Sequence, residues 1–289
     1  MLRAIIKTMR IKQWTKNAIV FAALVFDRQL TNPIAFGRTL AGFILFCILS
    51  STVYIINDII DVEADRAHPR KKYRPIASGA LPIPTAIAVD VVLLISTLAL
   101  AYWLSPTFFI VGILYFILNL AYTIRLKQIV LLDVVVISLG FVLRVGAGVT
   151  LIQVERFSPW LYVVTFMLAL YLGFGKRRSE MALLTDSAAS HRKVLDGYTM
   201  PFLDQIMMMI SGLTIIAYSL YTFSAPNLPT NHTMMLTIPF VVYGLLRYLL
   251  LTEIQNVKIP PDEVLLVDRP LQIAILLWGF SVLTIFYIF

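Results

Sequence analysis

Long apolar runs alternate with short interruptions rich in cations from residue 18 to the C-terminal end. A transmembrane helix needs about 20 apolar residues to cross a hydrocarbon core of roughly 30 Å. On that measure the pattern predicts nine spans, at residues 18–30, 36–57, 82–104, 106–124, 129–150, 160–176, 200–223, 234–252 and 270–288. The first is short enough to be partly interfacial. Ahead of it, Leu2, Ile5, Ile6 and Met9 recur at helical spacing against Arg3, Lys7 and Arg10, which predicts a basic amphipathic helix within residues 1–17 lying on the membrane surface. No Gly-, Ser- or Pro-rich linker divides the chain, so the expected fold is a single all-α integral membrane domain over residues 1–289. Two loops, 58–81 and 177–199, are longer than a connection requires and are the predicted active-site caps.

Composition agrees with this class. The chain of 289 residues is 59% hydrophobic and 14% charged, with a mean hydropathy of +0.84. Its net charge of +8 does not point to nucleic acid, because the cations follow alternate spans and gather on one membrane face. Short cytoplasmic loops carry the excess Lys and Arg, which places the N-terminus and the 58–81 loop in the cytoplasm and the C-terminus outside. Membrane lipid and phosphorylated substrates are the expected partners. Cys47 is the sole cysteine, which excludes an intrachain disulfide and a cysteine metal site.

The densest candidate chemistry runs from Asn57 to Arg74. Asp58, Asp61 and Asp65 are spaced i, i+3, i+7, so a continuous helix would set them on one face. Clustered carboxylates suit Mg²⁺, which takes hard oxygen ligands and completes its shell with water and substrate phosphate. Arg66, Arg70, Lys71, Lys72 and Arg74 follow at once and suit phosphate oxygens. A solvated charged loop is the alternative reading of the same run. In the second loop, Gly175-Lys176-Arg177-Arg178-Ser179-Glu180 reads as an anion site, with membrane anchoring as the alternative for one or two of its cations. His191, Arg192, Lys193, Asp196 and Tyr198 extend that loop. Within the membrane, Asp133 and Arg144 lie 11 residues, or about 16 Å, apart on one helical face. They are too distant to pair, so each requires another partner or water, and a polar chamber is expected. Alternatively, Asp133 marks only the entry of its span. Asn119 and Tyr122, at the end of the fourth span, are weaker polar signals, and Arg125 and Lys127 follow it.

Taken together these residues resemble the UbiA superfamily of intramembrane prenyltransferases. Its first aspartate-rich motif is matched by Asn57, Asp58, Asp61 and Asp65, whereas its second is replaced here by Lys176 to Glu180. Within the superfamily the chain is most similar to the decaprenyl-phosphate phosphoribosyltransferase branch. That similarity is carried by Arg10-Ile11-Lys12-Gln13-Trp14-Thr15-Lys16-Asn17, Asn57 through Pro75, Leu132-Asp133 with Arg144, Gly175 through Glu180, and Val194-Leu195-Asp196-Gly197-Tyr198. The resemblance implies a nine-helix bundle with cytoplasmic caps. It also implies Mg²⁺-dependent transfer of 5-phosphoribose from 5-phosphoribosyl 1-diphosphate to a polyprenyl phosphate. Asp58, Asp61 and Asp65 are then the metal ligands, with Asp58, Asp61, Lys16 and Glu180 acting in catalysis. Asn57, Asp65, Arg66, Lys71, Arg74, Tyr122, Lys127, Asp133, Arg144, Lys176, Arg177, Arg178 and Tyr198 are the implied substrate-binding set. Glu180 would position a ribose hydroxyl or assist a metal, and Tyr198 would donate a hydrogen bond. Two other readings stand beside this one: an aromatic prenyltransferase using a prenyl diphosphate, and a transporter or lipid carrier.

Overall fold

The structure is a computed structural model that describes residues 1–154, 158–184, 193–226, 228–253 and 260–288. It is helical throughout, with no strand among the described residues. The order is α1 (Leu2–Thr8), a 3₁₀ helix (Ile11–Phe21), α2 (Ala22–Phe26), α3 (Pro33–Ile60), α4 (Val62–Ala67), α5 (Ile83–Leu104), α6 (Pro106–Ile124), α7 (Leu132–Val149), α8 (Pro159–Leu184), α9 (Met200–Ser224), α10 (Ile238–Glu253), α11 (Pro261–Val267) and α12 (Arg269–Tyr287). Short 3₁₀ turns cover Lys71–Tyr73, Leu126–Gln128, Lys193–Gly197 and Thr233–Thr237.

Among the described residues, eight helical segments are long and apolar enough to cross a membrane. They correspond to the second through ninth expected spans. The first expected span, 18–30, takes a different form: tight 3₁₀ winding up to Phe21, then the five residues of α2. At about 2.0 Å of rise per 3₁₀ residue and 1.5 Å per α residue, residues 11–26 still reach about 30 Å. The amphipathic helix ends at Thr8 rather than near residue 17. Arg10 then takes a left-handed conformation (φ 52°, ψ 51°) and redirects the chain.

Helix starts follow local chemistry. Pro33, Pro106, Pro201 and Pro270 each lie in a first turn, where the missing N–H costs nothing. The caps before them are Asn32 (3.0 Å to the Ile34 N–H), Ser105 (3.3 Å to Phe108), Thr199 (3.3 Å to Phe202) and Asp268 (2.8 Å to Leu271).

The chain divides into two compact units. The first holds residues 1–24, 29–126 and 143–153, and α3 is its centre: 61% of the most apolar window of α3 is buried, against 17% for α5 and 22% for α6. Phe46, Leu49, Phe108, Tyr115, Ala147 and Leu151 form its core. α7 approaches the 3₁₀ helix so closely that a Cβ on Gly148 would stand 2.0 Å from the Val20 carbonyl oxygen. α3 has 28 residues, about 42 Å, and so outruns the hydrocarbon thickness; its last turn carries Asn57 and Asp58. The second unit holds residues 25–28, 127–142 and 154–289, with α8 against α9 and α10 against α12. Its core gathers Tyr171, Phe174, Val194, Leu195, Tyr198, Leu203, Met207 and Tyr248.

Candidate active site

In the first unit, α3 stops at Asp61, whose backbone (φ −88°, ψ 8°) leaves helical geometry before α4 resumes at Val62. The break changes the expected three-aspartate face. Asp58 and Asp65 are both buried, each 2% exposed, and lie on either side of one guanidinium: Arg74 Nη1 is 3.1 Å from Asp58 Oδ1 and 2.6 Å from Asp65 Oδ2. Asp61 sits at the break, half-buried. Among the described residues no three His, Cys, Asp or Glu side chains gather as a metal-binding group, so the structure brings together two of the three predicted ligands. That donor set still fits a cation such as Mg²⁺, which needs only one or two carboxylates when waters and substrate phosphate complete its shell.

Arg10 is the second cation on Asp58 and was not among the candidate site residues read from sequence. Its guanidinium donates to Asp58 Oδ1 and lies 4.8 Å from the ring centre of Tyr54. A positive φ is uncommon for a side-chain-bearing residue and clusters at functional positions. Here it turns the side chain from the end of α1 onto α3. In the sequence it stands out only as a cation of the amphipathic N-terminal helix and as the head of the Arg10 to Asn17 stretch. Its partner lies 48 residues away.

The 58–81 segment is a packed cap rather than a solvated loop. His68 Nδ1 accepts the N–H groups of Arg70 (3.1 Å) and Lys71 (3.3 Å), holding the turn into Lys71–Tyr73. Arg74 precedes Pro75 and is therefore extended (φ −65°, ψ 145°), while Ile76 and Leu81 pack with Ile55 and Ala86. Gly79 closes the turn at φ 80°. Arg66 is exposed and pairs with Glu63 at 2.8 Å; Asn57, Lys71 and Lys16 are half-buried.

A polar lane runs from this cluster along the 3₁₀ helix. Trp14 Nε1 donates to Ser51 (3.0 Å), and Asn17 Nδ2 donates to Ser50 (3.0 Å). Asn17 Oδ1 accepts from Arg144 Nε at 2.7 Å, and Arg144 Nη2 donates to Tyr115 at 2.8 Å. The membrane-buried arginine thus gains neutral polar partners and the Tyr115 ring, 4.8 Å away, as its neighbours. Neither Asn17 nor Tyr115 was legible as such a partner. Tyr122 and Lys127, near the end of α6 and after it, are half-buried.

In the second unit α8 continues to Leu184, so Lys176 to Glu180 belong to a helix and not to a loop. Arg177 is 2% exposed; its Nε donates to Asp133 Oδ2 at 2.6 Å and its Nη1 to Glu180 Oε2 at 2.7 Å. Asp133, fully buried, also accepts from the Tyr198 hydroxyl at 2.6 Å, and that hydroxyl accepts the Leu131 N–H at 2.8 Å. Burial, with the bond to Asp133, pushes the Tyr198 phenol well above its ordinary value, so it remains protonated. Arg178 donates to Asp204 (2.5 Å) and to the Thr252 carbonyl (2.7 Å). The expected cluster of three cations on one anion is therefore divided. Arg177 and Arg178 are buried against carboxylates, and Lys176 alone is exposed. The reason is helical phase: three successive residues point about 100° apart. His191 and Arg192 lie outside the described residues; Asp196 is exposed in the Lys193–Gly197 turn.

An apolar membrane helix that carries Asp58 in its last turn and is followed by a short helix carrying Asp65, the two acids joined by Arg74, defines a class, and comparison with known proteins identifies it. The UbiA prenyltransferase family model matches residues 18–262, and the chain belongs to that family. It is an integral membrane protein. Among curated relatives it is similar to the decaprenyl-phosphate phosphoribosyltransferase of Mycolicibacterium smegmatis, 33% identical over 95% of this chain and 89% of the relative. A second relative of that name, from Corynebacterium glutamicum, is 32% identical over 98% and 86%. Among solved structures, a UbiA homolog from Archaeoglobus fulgidus bound to GPP and Mg²⁺ superposes with a TM-score of 0.75 at 19% identity, over 97% of this chain and 99% of that one. This last likeness establishes the fold.

Proposed function

We propose that this chain is an enzyme transferring 5-phosphoribose from 5-phosphoribosyl 1-diphosphate to a polyprenyl phosphate of the decaprenyl type, with release of diphosphate. The observation that carries the reading is the asymmetry of the polar segments. The Asn57 to Asp65 segment keeps its paired carboxylates, while α8 carries Lys176, Arg177 and Arg178 in place of acids, with Lys176 exposed and the two arginines buried against carboxylates. A site for two phosphorylated substrates calls for cations there. The names of the curated relatives, which align over nearly the whole chain, support it.

In the reaction a phosphate oxygen of the lipid forms a bond to C1 of ribose as the bond from C1 to the diphosphate oxygen breaks. The diphosphate leaves with that electron pair. The acceptor is already anionic at neutral pH, so no strong base is required, and holding the two reactants together contributes much of the acceleration. Arg10 and Arg74 place fixed positive charge beside Asp58 and Asp65, where negative charge grows on the leaving group. We assign Asp58 and Asp65, with Asp61 at the helix break, as the residues that hold Mg²⁺, which supplies further neutralisation of the diphosphate when bound. Lys16, Arg66 and Lys71 add to the cationic cap, and Arg144 with Asn17 and Tyr115 supplies a polar station deeper in the membrane. We place the N-terminus and this cap on the cytoplasmic side, because Arg3, Lys7, Lys12 and Lys16 precede the first apolar segment.

Mass spectrometry of the lipid product tests the assignment. The expected product is the polyprenyl phosphate enlarged by one phosphoribosyl group, with one diphosphate released per lipid converted. A lipid left unchanged with diphosphate released by hydrolysis overturns it.

A further inference from the structure

We infer that His68 is a positioning residue for the transfer: its imidazole folds the turn that lays Arg74 between Asp58 and Asp65. The inference rests on the phosphoribosyl reading above, in which Arg74 meets the charge growing on the departing diphosphate. It concerns how that cation is placed and gives His68 no contact with either substrate. Asp65 and Arg74 are 9 residues apart in the chain, yet their side chains meet at 2.6 Å. The reversal between them starts at His68, where α4 ends and the backbone becomes extended (φ −85°, ψ 134°). Pro69 follows and has no N–H to pair.

Arg70, Lys71 and Lys72 then turn their N–H groups back onto His68. The first two donate to its Nδ1, at 3.1 and 3.3 Å, and the third to its carbonyl oxygen at 3.2 Å. The Lys71 carbonyl accepts the Arg74 N–H at 2.9 Å, which carries the geometry of the turn on to the arginine. Loss of Nδ1 would leave two N–H groups at the head of the turn without their acceptor and loosen the backbone on which Arg74 stands. Asn and Asp ordinarily serve such turns, with a side-chain oxygen accepting from the residues two and three further on. His68 reproduces that pattern with a nitrogen. An Nδ1 that accepts carries no proton, so the ring proton is on Nε2 and the acceptor is uncharged. It therefore orders the turn without drawing Arg74 away from the two aspartates.

Two measurements on the detergent-purified protein test this: amide hydrogen exchange over residues 68–75, and the kinetics of phosphoribosyl transfer. Wild type is compared with His68→Ala and His68→Asn. His68→Ala is expected to speed exchange at the Arg70 and Lys71 amides by about tenfold. It should also lower kcat by about tenfold or more, with KM for either substrate within about threefold of wild type. His68→Asn supplies Oδ1 as the missing acceptor and should return both exchange and kcat to within about threefold of wild type. An Asn variant that protects the two amides yet stays as slow as His68→Ala overturns the inference, because the imidazole itself would then act on substrate. Exchange unchanged in His68→Ala overturns it too, as does faster exchange with a wild-type kcat, or a rise in KM with kcat unaltered. Absence of transfer by the wild type brings down the underlying reading, whatever the exchange shows.

Discussion

Replacing Arg177 with Met separates a structural cation from a phosphate ligand. The guanidinium is 2% exposed and bridges Asp133, fully buried, to Glu180. Its loss leaves the Asp133 carboxylate in the protein interior with the Tyr198 hydroxyl and no counter-charge from this arginine. Breaking a buried pair on one side typically costs about 3–5 kcal/mol, a large part of the roughly 5–15 kcal/mol that holds a domain together. At about 2–4 °C per kcal/mol for a chain of this order, the melting temperature should fall by about 10 °C. The double variant Arg177→Met with Asp133→Asn removes both charges and should recover about 2 kcal/mol relative to the sum of the single variants. Arg177→Lys keeps the charge but not the fork that serves two carboxylates with two nitrogens, and should fall between. Thermal loss of helical circular dichroism in detergent reads the wild type, the Arg177→Met and Asp133→Asn single variants, the double variant and Arg177→Lys. If Arg177→Met melts with the wild type while its KM for either substrate rises sharply, Arg177 is a substrate ligand and the assignment is wrong.

Three further outcomes are expected. Asp58→Asn and Asp65→Asn should each lower kcat about a hundredfold or more with little loss of helicity, because Arg10 and Arg74 are 27% exposed and retain contact with water; near-normal turnover in either variant removes the metal and diphosphate assignment. Gly148→Ala forces a Cβ against the Val20 carbonyl and should destabilise by about 1–3 kcal/mol, an effect absent if the melting curve is unchanged. Hydrogen bonding to Arg247 and to the Leu271 N–H holds the Asp268 carboxyl below the usual range. A lowered folded pKa contributes stability that is present above the ordinary value near 4 and lost as pH falls through the folded one. Asp268→Asn should therefore flatten the acid limb of a plot of melting temperature against pH, and an unaltered limb would show the pair to be inert.

Much of this architecture is legible in the chain because a membrane imposes length and apolarity on every helix. The boundaries of α5 and α6 follow from hydropathy, and Pro33, Pro106 and Pro270 mark starts that a sequence reading can place within a few residues. The first segment was harder to read, since hydropathy does not distinguish 3₁₀ from α winding. The acid motif was visible from its spacing, but the break at Asp61 was not, and the break is what pairs Asp58 with Asp65. Long-range partners were beyond reach. Arg177 and Asp133 are 44 residues apart, Arg144 and Asn17 are 127 apart, and the excess of cations on one membrane face does not say which of them are buried. Lys176 and Arg177 are neighbours in sequence with opposite exposures, a difference that only the phase of α8 against its surroundings decides.

The central claim meets its most direct test in a paired-donor assay on the purified protein. One arm supplies labelled 5-phosphoribosyl 1-diphosphate with a polyprenyl phosphate, with Mg²⁺ and then with a chelator. The other supplies a prenyl diphosphate with an aromatic acceptor. Label entering the lipid phase from the first arm, and lost on chelation, is the predicted result. Product from the second arm alone would contradict the account and return the chain to prenyl transfer.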